Sequence, residues 1–386
     1  MNTLSAVATA GNTGSGRPAH RGDVALFSGP AWETWTPNDI ETRGLGGAET
    51  AAVKLAESLS QLGYMVTFFG DCEEMAYRDV TFRRWETFEP REPRLATISV
   101  RIPWLFDRPL ASFVRLFWAH DIHYDSALTP ERARSMDAAV APTEWHRRYL
   151  CRRYPFLEGK VHAIPNGLDA SRFRDAGTQR DRRVLYTSAP QRGLDVLLRL
   201  WPTVRRLVPD AELVFCYPRA YDVMADHHRA MAEFYAEVER LADQPGVTRL
   251  GPLGQGELAR LMTRSRVWVA PSWCTPCNAP FLETYCNSAV EAQAAGCCVV
   301  ASAVGALTET VKVGRLVKAF PNGDRWRTEI IDGIVEALSN PTVQHHAECQ
   351  GPPAVSELGW PGIAARFVRL LEGDAVASEG SRGARR

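Results

Sequence analysis

The chain has 386 residues, 45% of them hydrophobic and 23% charged, a composition typical of a globular protein large enough for two domains. Lys plus Arg and Asp plus Glu each total 45, so the net charge is zero, which argues against a nucleic-acid partner. No apolar run approaches the roughly 20 residues that a membrane span needs. The first twenty residues lack a secretory h-region and the nine cysteines follow no disulfide framework, so we expect a cytoplasmic protein with reduced thiols.

Short apolar runs alternate with amphipathic segments, which predicts parallel sheets covered by helices. Residues 1–20 are rich in Ala, Thr, Gly and Ser and are expected to be disordered. Small and apolar residues recur every three or four positions after Gly47, which predicts a helix over residues 48–62, and a second helix is expected at 143–154. The strands predicted in this half are residues 24–28, 64–69, 95–100, 114–118, 137–141 and 161–164.

The same pattern restarts after a polar, charged stretch at residues 169–181, which we interpret as a linker. The strands predicted in the second half are residues 183–187, 211–216, 247–250, 266–270 and 297–301. Helices are expected between them, including residues 255–264 and a segment ending near Gly296, and a last amphipathic helix at 360–372.

The predicted organisation is an α/β protein with two Rossmann-like, doubly wound domains. Such sheets bind ligands at the carboxyl ends of their strands, so the ligand is expected in the cleft between the domains. The predicted divisions are a disordered N-terminus at 1–20, a first domain at 21–175, a second domain at 176–358, a C-terminal helix at 359–372 and a disordered tail at 373–386.

Residues 281–296, FLETYCNSAVEAQAAG, are the most informative segment for function. If the segment is fully helical, Glu283 and Glu291 lie about 12 Å apart along the axis, which suits two rings joined by a diphosphate. A helix N-terminus between the two carboxylates would bind the phosphates. The alternative is that Ser288 and Glu291 form a capping box with no role in binding.

This segment resembles the Glu-x7-Glu motif of retaining, nucleotide-sugar-dependent glycosyltransferases of family 4. Other landmarks of that family follow in order: GLGGAE at 44–49, IPNGLD at 164–169, residues 186–193 and the run 250–272. The resemblance covers about residues 24–371. It implies the GT-B fold, in which two Rossmann-like domains face a cleft and the last helix can cross back to the first domain.

The resemblance also implies roles for individual residues on the donor side. Glu283 would contact hydroxyls of the donor hexose and Glu291 would hold the ribose. Arg192 takes the family's Lys position and would clamp the diphosphate, while the usual upstream Arg is missing and Ser188 or Gln191 would substitute for it. The other residues implied are Gly46 and Gly47 at the diphosphate, Tyr285, Cys286 and Asn287 at the sugar or diphosphate, and His120 at the donor sugar or leaving group. The family usually has Phe-Gly after the first Glu, so the donor sugar stays open.

The acceptor is expected at an unusual first-domain loop, residues 29–39, GPAWETWTPND. Trp32 and Trp35 could stack on a sugar, and Glu33 and Asp121 could pair with its amines. The alternative is that the tryptophans pack the loop onto the core. A small aminosugar or aminocyclitol-containing intermediate of antibiotic biosynthesis is the acceptor favoured by this pattern.

No metal or cofactor is expected, because the chain has no Asp-x-Asp, the motif with which many glycosyltransferases hold a metal at the diphosphate. Cys274 and Cys277 imitate a redox motif, but we interpret them as a wall of the donor site, and a disulfide between them stays open.

The predicted function is therefore transfer of a hexosyl-type sugar from a nucleotide diphosphate sugar to an acceptor hydroxyl, with retention. Two alternatives remain. The first is a non-catalytic protein that binds a nucleotide sugar or a partner on the same fold. The second is an NAD-dependent oxidoreductase with Asp71 at the ribose, against which the broken glycine fingerprint counts. The sequence identifies neither the base nor the oligomeric state.

Overall fold

The computed structural model describes residues 21–173, 179–226 and 228–373 and contains two large sheets. The first has eight strands in the order β3-β4-β2-β1-β5-β6-β7-β8, all parallel to their neighbours except β3. These strands are β1 (Asp23–Gly29), β2 (Met65–Gly70), β3 (Met75–Tyr77), β4 (Val80–Arg84), β5 (Arg94–Val100), β6 (Ser112–Trp118), β7 (Ala138–Ala141) and β8 (Val161–Ala163). The helices between them are α1 (Asp39–Thr42), α2 (Gly47–Gln61), α3 (Pro130–Arg134) and α4 (Glu144–Arg153).

The second sheet has six parallel strands in the order β11-β10-β9-β12-β15-β16, and β13 and β14 form a separate antiparallel pair. The strands are β9 (Asp181–Tyr186), β10 (Glu212–Phe215), β11 (Val247–Arg249), β12 (Ser265–Ala270), β13 (Trp273–Cys274), β14 (Ala279–Pro280), β15 (Cys298–Ser302) and β16 (Arg315–Val317). The helices are α5 (Leu194–Leu207), α6 (Ala220–Asp226), α7 (Arg229–Ala242), α8 (Gln255–Thr263), α9 (Asn287–Ala294), α10 (Leu307–Thr310), α11 (Asp324–Ser339), α12 (Pro341–Ala354) and α13 (Trp360–Leu371).

Helix α13 belongs to the core of the first domain although it follows the second domain in the chain. Its residues Ile363 and Phe367 are fully buried in the same cluster as Leu55 of α2 and Trp118 of β6. The rings of Phe367 and Trp118 meet edge to face at 5.0 Å. The predicted GT-B architecture, with the last helix crossing back, is confirmed.

All of the predicted strands are present, whereas β3, β4, β13, β14 and β16 were not predicted. These strands are short, and β3 and β4 carry exposed side chains, so no buried apolar run marks them. Residues 170–173 of the expected linker form a 3₁₀ turn. Residues 1–20, 174–178 and 374–386, on which the predictions of disorder and part of the linker fall, lie outside the described residues.

Residues 281–296 are not fully helical, whereas a helix N-terminus does lie between Glu283 and Glu291, as expected. Only α9 is helical, because Cys286 adopts a left-handed conformation (φ 69°) and α9 begins after it. Glu283 therefore precedes the helix, and the 12 Å spacing along a helix axis does not apply. The capping box is wrong too, since Cys286 rather than Ser288 is the N-cap residue.

Within the three described stretches, no helix is both long enough and apolar enough to cross a membrane.

Candidate functional site

An open cleft lies between the carboxyl ends of the strands of the two sheets. The first domain lines it with residues 44–50, and with residues that follow β5 and β6. The second domain contributes the ends of β9 and β10 and residues 283–288. The donor-side residues of the sequence prediction meet here: Gly46, Gly47, His120, Ser188, Arg192, Glu283, Tyr285, Cys286, Asn287 and Glu291. Their individual roles stay predictions.

Arg192 and Glu283 form an ion pair at the centre of the second-domain wall. Nη1 of Arg192 lies 3.1 Å and 3.3 Å from the two carboxylate oxygens of Glu283, and its guanidinium sits over the Phe281 ring at 4.6 Å. Burial opposes the charge of Arg192, but the Glu283 carboxylate outweighs it and raises the arginine pKa. Nε of Arg192 is buried and has no hydrogen-bond partner. The pair thus holds one cation and one anion that a ligand can engage separately.

The N-terminus of α9 opens on the cleft beside this pair. Cys286 occupies the position where the resembled family has Gly, and its positive φ is a conformation that costs a non-glycine residue about 1–3 kcal/mol. Cys286 provides no side-chain cap, so the first N–H groups of α9 have no capping partner from it. Free N–H groups and the helix dipole together favour an anion at this point.

Glu291 lies one helical turn further along α9 and also lines the cleft. Burial raises its pKa to about 7, and the more distant charge of Arg172 only partly opposes this. A carboxylate without a capping role at this position can accept hydrogen bonds from ligand hydroxyls.

His120 presents an uncharged ring to the cleft. Burial and the nearby Arg101 lower its pKa to about 3, so the imidazole is neutral at physiological pH. Its ring lies against Trp118 with centroids 4.6 Å apart, and its Nε2 atom is buried without a partner. The histidine can therefore offer a hydrogen bond but no positive charge.

Three residues of the segment after Glu283 hold the two domains together, and we name them the interdomain clasp: Thr284, Tyr285 and Asn287. The Thr284 hydroxyl donates to the His120 carbonyl (2.8 Å), and the buried Tyr285 hydroxyl donates to the Asn166 carbonyl (2.8 Å). The Asn287 side chain accepts from Asn166 Nδ2 (2.9 Å) and donates to the Gly47 carbonyl (3.2 Å). Of these side chains, Asn287 contacts the glycine loop of the opposite domain directly.

Glu309 makes a second polar contact between the domains. Its carboxylate accepts the backbone N–H groups of Glu144 (2.9 Å) and Trp145 (2.8 Å). These N–H groups open α4, so a second-domain carboxylate caps a first-domain helix.

We expect Asn287→Leu to lower kcat/KM for the donor about tenfold, the cost of roughly one net hydrogen bond at 1.4 kcal/mol. Asn287→Asp keeps an acceptor for Asn166 but sets a carboxylate against the Gly47 carbonyl and beside the proposed diphosphate, so its loss should be larger. Steady-state kinetics measure both, and small-angle scattering should show a larger radius of gyration for Asn287→Leu. Wild-type kinetics and scattering in Asn287→Leu would mean that the clasp does not position the glycine loop.

The expected acceptor residues of the 29–39 loop do not line the cleft. Trp35 is buried in the core, edge to face with Phe68 at 5.6 Å, so the stacking role is wrong and the packing alternative is right for it. Trp32 is half exposed and its ring meets His228 of the second domain at 5.6 Å. Glu33 pairs with Arg43 at 2.7 Å. Only Asp121 of the predicted acceptor set lies on the cleft wall.

Sequence reasoning missed Arg101 and Glu49, which join Asp121 on the first-domain wall. Arg101 Nε and Nη2 lie 2.8 Å and 3.2 Å from the Asp121 carboxylate oxygens, and Nη1 lies 3.1 Å from Glu49 Oε1. Two signals could have found them. Arg101 follows directly after a predicted strand, at the ligand-binding end of the sheet, and Glu49 stands within the glycine motif.

Cys274 and Cys277 are free thiols in the β13–β14 hairpin and do not line the cleft, so their interpretation as a donor-site wall is wrong. Gln191, a proposed substitute for the missing Arg, accepts a hydrogen bond from the hydroxyl of Tyr235 (3.1 Å), whereas Ser188 lines the cleft.

Among residues 21–173, 179–226 and 228–373, no group of three or more His, Cys, Asp or Glu side chains is placed to hold a metal ion.

Known proteins with similar sequences are glycosyltransferases. Residues 181–340 match the family model described as "Glycosyl transferases group 1". Phosphatidyl-myo-inositol mannosyltransferase of Mycobacterium tuberculosis is 27% identical over 246 residues, 60% of this chain and 59% of the relative. The match therefore spans less than two thirds of that relative's length.

Solved structures with the same fold match almost the whole chain. A protein of Anabaena, HepE, in complex with UDP-glucose superposes with a TM-score of 0.67 at 14% identity, covering 92% of this chain and all of the other. Sucrose-phosphate synthase of Thermosynechococcus elongatus superposes with a TM-score of 0.66 at 19% identity, covering 91% and 98% of the two chains. At these identities the likeness is one of fold.

Proposed function

We propose that this chain, a GT-B protein whose residues 181–340 belong to the glycosyl transferases group 1 family, transfers a hexosyl-type sugar from a nucleotide diphosphate sugar to a hydroxyl of a small acceptor, with retention at the anomeric carbon. The observation that carries the proposal is the Arg192–Glu283 pair beside the open N-terminus of α9, within the cleft. Cation, carboxylate and free N–H groups are the partners that a sugar linked to a diphosphate requires.

Charge on the departing diphosphate is the main quantity to be stabilised. Arg192 forms an ion pair with Glu283. When a donor binds, Arg192 and the N-terminus of α9 would face its diphosphate, and Glu283 would accept hydrogen bonds from the sugar hydroxyls. Charge that grows as the glycosidic bond breaks is then met by groups already in place.

Retention is assigned to a front-face displacement, in which the leaving diphosphate itself takes the proton of the acceptor hydroxyl. The ion pair of Glu283 with Arg192 suits its carboxylate to holding sugar hydroxyls rather than attacking carbon. His120, neutral and with a free Nε2, would donate or accept one further hydrogen bond at the sugar. The interdomain clasp closes the cleft and limits water, and hence hydrolysis.

The dehydrogenase alternative loses its ribose ligand. Asp71 pairs with Arg84 at 3.1 Å, accepts the Thr34 hydroxyl and does not line the cleft. The non-catalytic alternative rests on Ser188 standing where the family has a second cation. A thermal-shift panel of UDP-, GDP- and dTDP-sugars tests donor binding, and chromatography of the incubated mixtures tests transfer. Donor binding without donor consumption under any acceptor would favour the non-catalytic protein.

We expect Glu291→Ala to weaken binding of the preferred nucleotide sugar by about 1.5–3 kcal/mol, because a charged acceptor of the ribose hydroxyls is lost. The wild-type Kd should also fall as pH rises through about 7, since hydroxyl donors bind the carboxylate and not the carboxylic acid. Glu291→Gln should abolish this pH dependence.

Calorimetry with a nucleotide sugar suits this measurement, because its diphosphate diester has no proton that titrates near neutral pH. Glu257→Ala, an exposed first-turn position of α8, is the matched control. Unchanged affinity and pH dependence in a folded Glu291→Ala protein would remove Glu291 from the ribose site.

We expect transfer to persist in EDTA. Arg192 and the N-terminus of α9 supply the charge stabilisation that a divalent cation provides in other transferases. Initial rates with and without chelator, in protein dialysed beforehand, measure this. Loss of activity in EDTA that magnesium or manganese restores would contradict metal independence.

A further inference from the structure

The wall of the cleft opposite the Arg192–Glu283 pair carries its own charged cluster: Glu49, Arg101 and Asp121. We infer that this cluster is the acceptor subsite, and that it selects a small polyol bearing an amine over a phosphorylated or otherwise anionic acceptor. The inference rests on the proposed function, because an acceptor subsite presupposes a donor in the same cleft.

The cluster is built by the fold rather than by chance surface pairing. Arg101 follows β5 in a left-handed conformation (φ 67°), and its backbone N–H donates to the Trp118 carbonyl at 3.0 Å. A bulky residue takes that conformation only where its surroundings enforce it. The result is a guanidinium held at the cleft and bound on one edge by Asp121 through two hydrogen bonds.

The charge of the cluster sets the class of ligand. Two carboxylates surround one guanidinium, and the neighbouring His120 is neutral, so this wall carries a net negative charge. Every nitrogen of the Arg101 guanidinium already faces a carboxylate. An incoming phosphate would have to displace Asp121 or Glu49 and then remain beside it. An incoming ammonium group would instead contact carboxylate oxygens of both Asp121 and Glu49.

Two further atoms point to a ligand at this wall. Nε2 of His120, the atom proposed above for the donor sugar, is buried beside the cluster without a partner, so the donor sugar and the acceptor would meet at this wall. Arg101 donates its hydrogen bond to Oε1 of Glu49, whereas Oε2 lies so close to Gly46 that a Cβ there would stand 2.3 Å from it. Gly46 thereby leaves room for a carboxylate oxygen at the start of α2, where a donor and acceptor would meet.

The opposite wall does not change this balance. Arg192 and Glu283 neutralise one another, the clasp residues between the walls carry no charge, and Glu291 can add only negative charge. The acceptor therefore approaches between a neutral pair and a negative cluster, and opposite charges about 4 Å apart at such a site attract by several times the thermal energy.

Matched acceptors test the inference: glucosamine, glucose and glucose 6-phosphate, and in parallel an inosamine, myo-inositol and myo-inositol 1-phosphate. Donor consumption is followed with the nucleotide sugar that gives the largest thermal shift, and donor Kd is measured separately by calorimetry. In the wild-type protein, kcat/KM for the acceptor that bears an amine is expected to be at least ten times that for the phosphorylated acceptor, in the glucose series, the inositol series or both.

Charge-removing variants make the test specific to the cluster. Asp121→Asn and Glu49→Gln should each reduce the ratio of amine to phosphate kcat/KM about tenfold. Glu131→Gln removes an exposed first-domain carboxylate that pairs with Arg134, away from the cleft, and should leave the ratio as in the wild type. A ratio that moves equally in all three variants reflects net charge alone and overturns the inference.

The remaining outcomes separate this inference from the proposed function. Preference for a phosphorylated acceptor, or no transfer to any of the six while the donor is bound and hydrolysed, overturns the acceptor assignment and leaves the donor proposal standing. Absence of donor binding and of donor consumption in folded protein overturns both.

Discussion

Replacing Arg192 with Ala is expected to lower kcat by about 100- to 1,000-fold while raising the donor KM much less. The guanidinium already pairs with the Glu283 carboxylate, so binding of the donor in the ground state gains little from it. Its contribution grows when charge develops on the leaving diphosphate, and an interaction that is stronger in the transition state appears in kcat. Initial rates over a range of donor concentrations separate the two parameters.

Two further variants sharpen the Arg192 result. Arg192→Lys keeps the charge but loses the forked geometry, so it should recover only part of the rate. Arg199→Ala removes an exposed arginine of α5 that pairs with Glu237 and should behave as the wild type. Normal kcat and KM in Arg192→Ala would make Arg192 a turn residue with no part in transfer.

Replacing Glu283 with Gln is expected to lower donor kcat/KM about 100-fold, near the upper end of what a charged hydrogen-bond acceptor contributes. The amide still fits the buried site but can no longer balance Arg192, and it holds the sugar hydroxyls less strongly. Stopped-time assays with product separation are sensitive enough for this range.

The Arg192→Ala/Glu283→Gln double variant should lose less than the sum of the two single losses, because each single change leaves the other partner unmatched. Glu348→Gln, which removes the carboxylate paired with Arg180 outside the cleft, is a suitable control for loss of a part-buried ion pair. Strict additivity of the two cleft variants would mean that the pair does not act as a unit.

The two-domain architecture could be predicted from the sequence because most parallel strands of both domains are buried apolar runs. The β3–β4 hairpin escaped prediction since most of its side chains are exposed and no periodicity separates it from a loop. The start of the helix after Glu283 could not be located from the sequence, because nothing in its composition reveals that Cys286 takes a positive φ, which Gly would have signalled.

The cleft was predictable only in part. Residues in family motifs, such as Glu283 and Glu291, could be assigned to it from spacing and resemblance. Arg101 was missed although it follows a predicted strand, because its place on the cleft wall also depends on a left-handed backbone that the sequence does not signal for an arginine. Trp35 shows the opposite error: an aromatic residue in a polar loop suggested a ligand platform, but the loop folds it into the core.

The position of α13 has a consequence for the order in which the protein can assemble. Ile363 and Phe367 complete the first-domain core, yet they are synthesised after the whole of the second domain. During translation the core of the first domain therefore stays incomplete, with an apolar groove uncovered, until residues 360–371 have left the ribosome. The chain then passes between the domains twice, and the two passages are tied where the Leu168 N–H donates to the Leu358 carbonyl at 2.6 Å. Two tied passages of chain resist twisting of one domain against the other more than a single linker would.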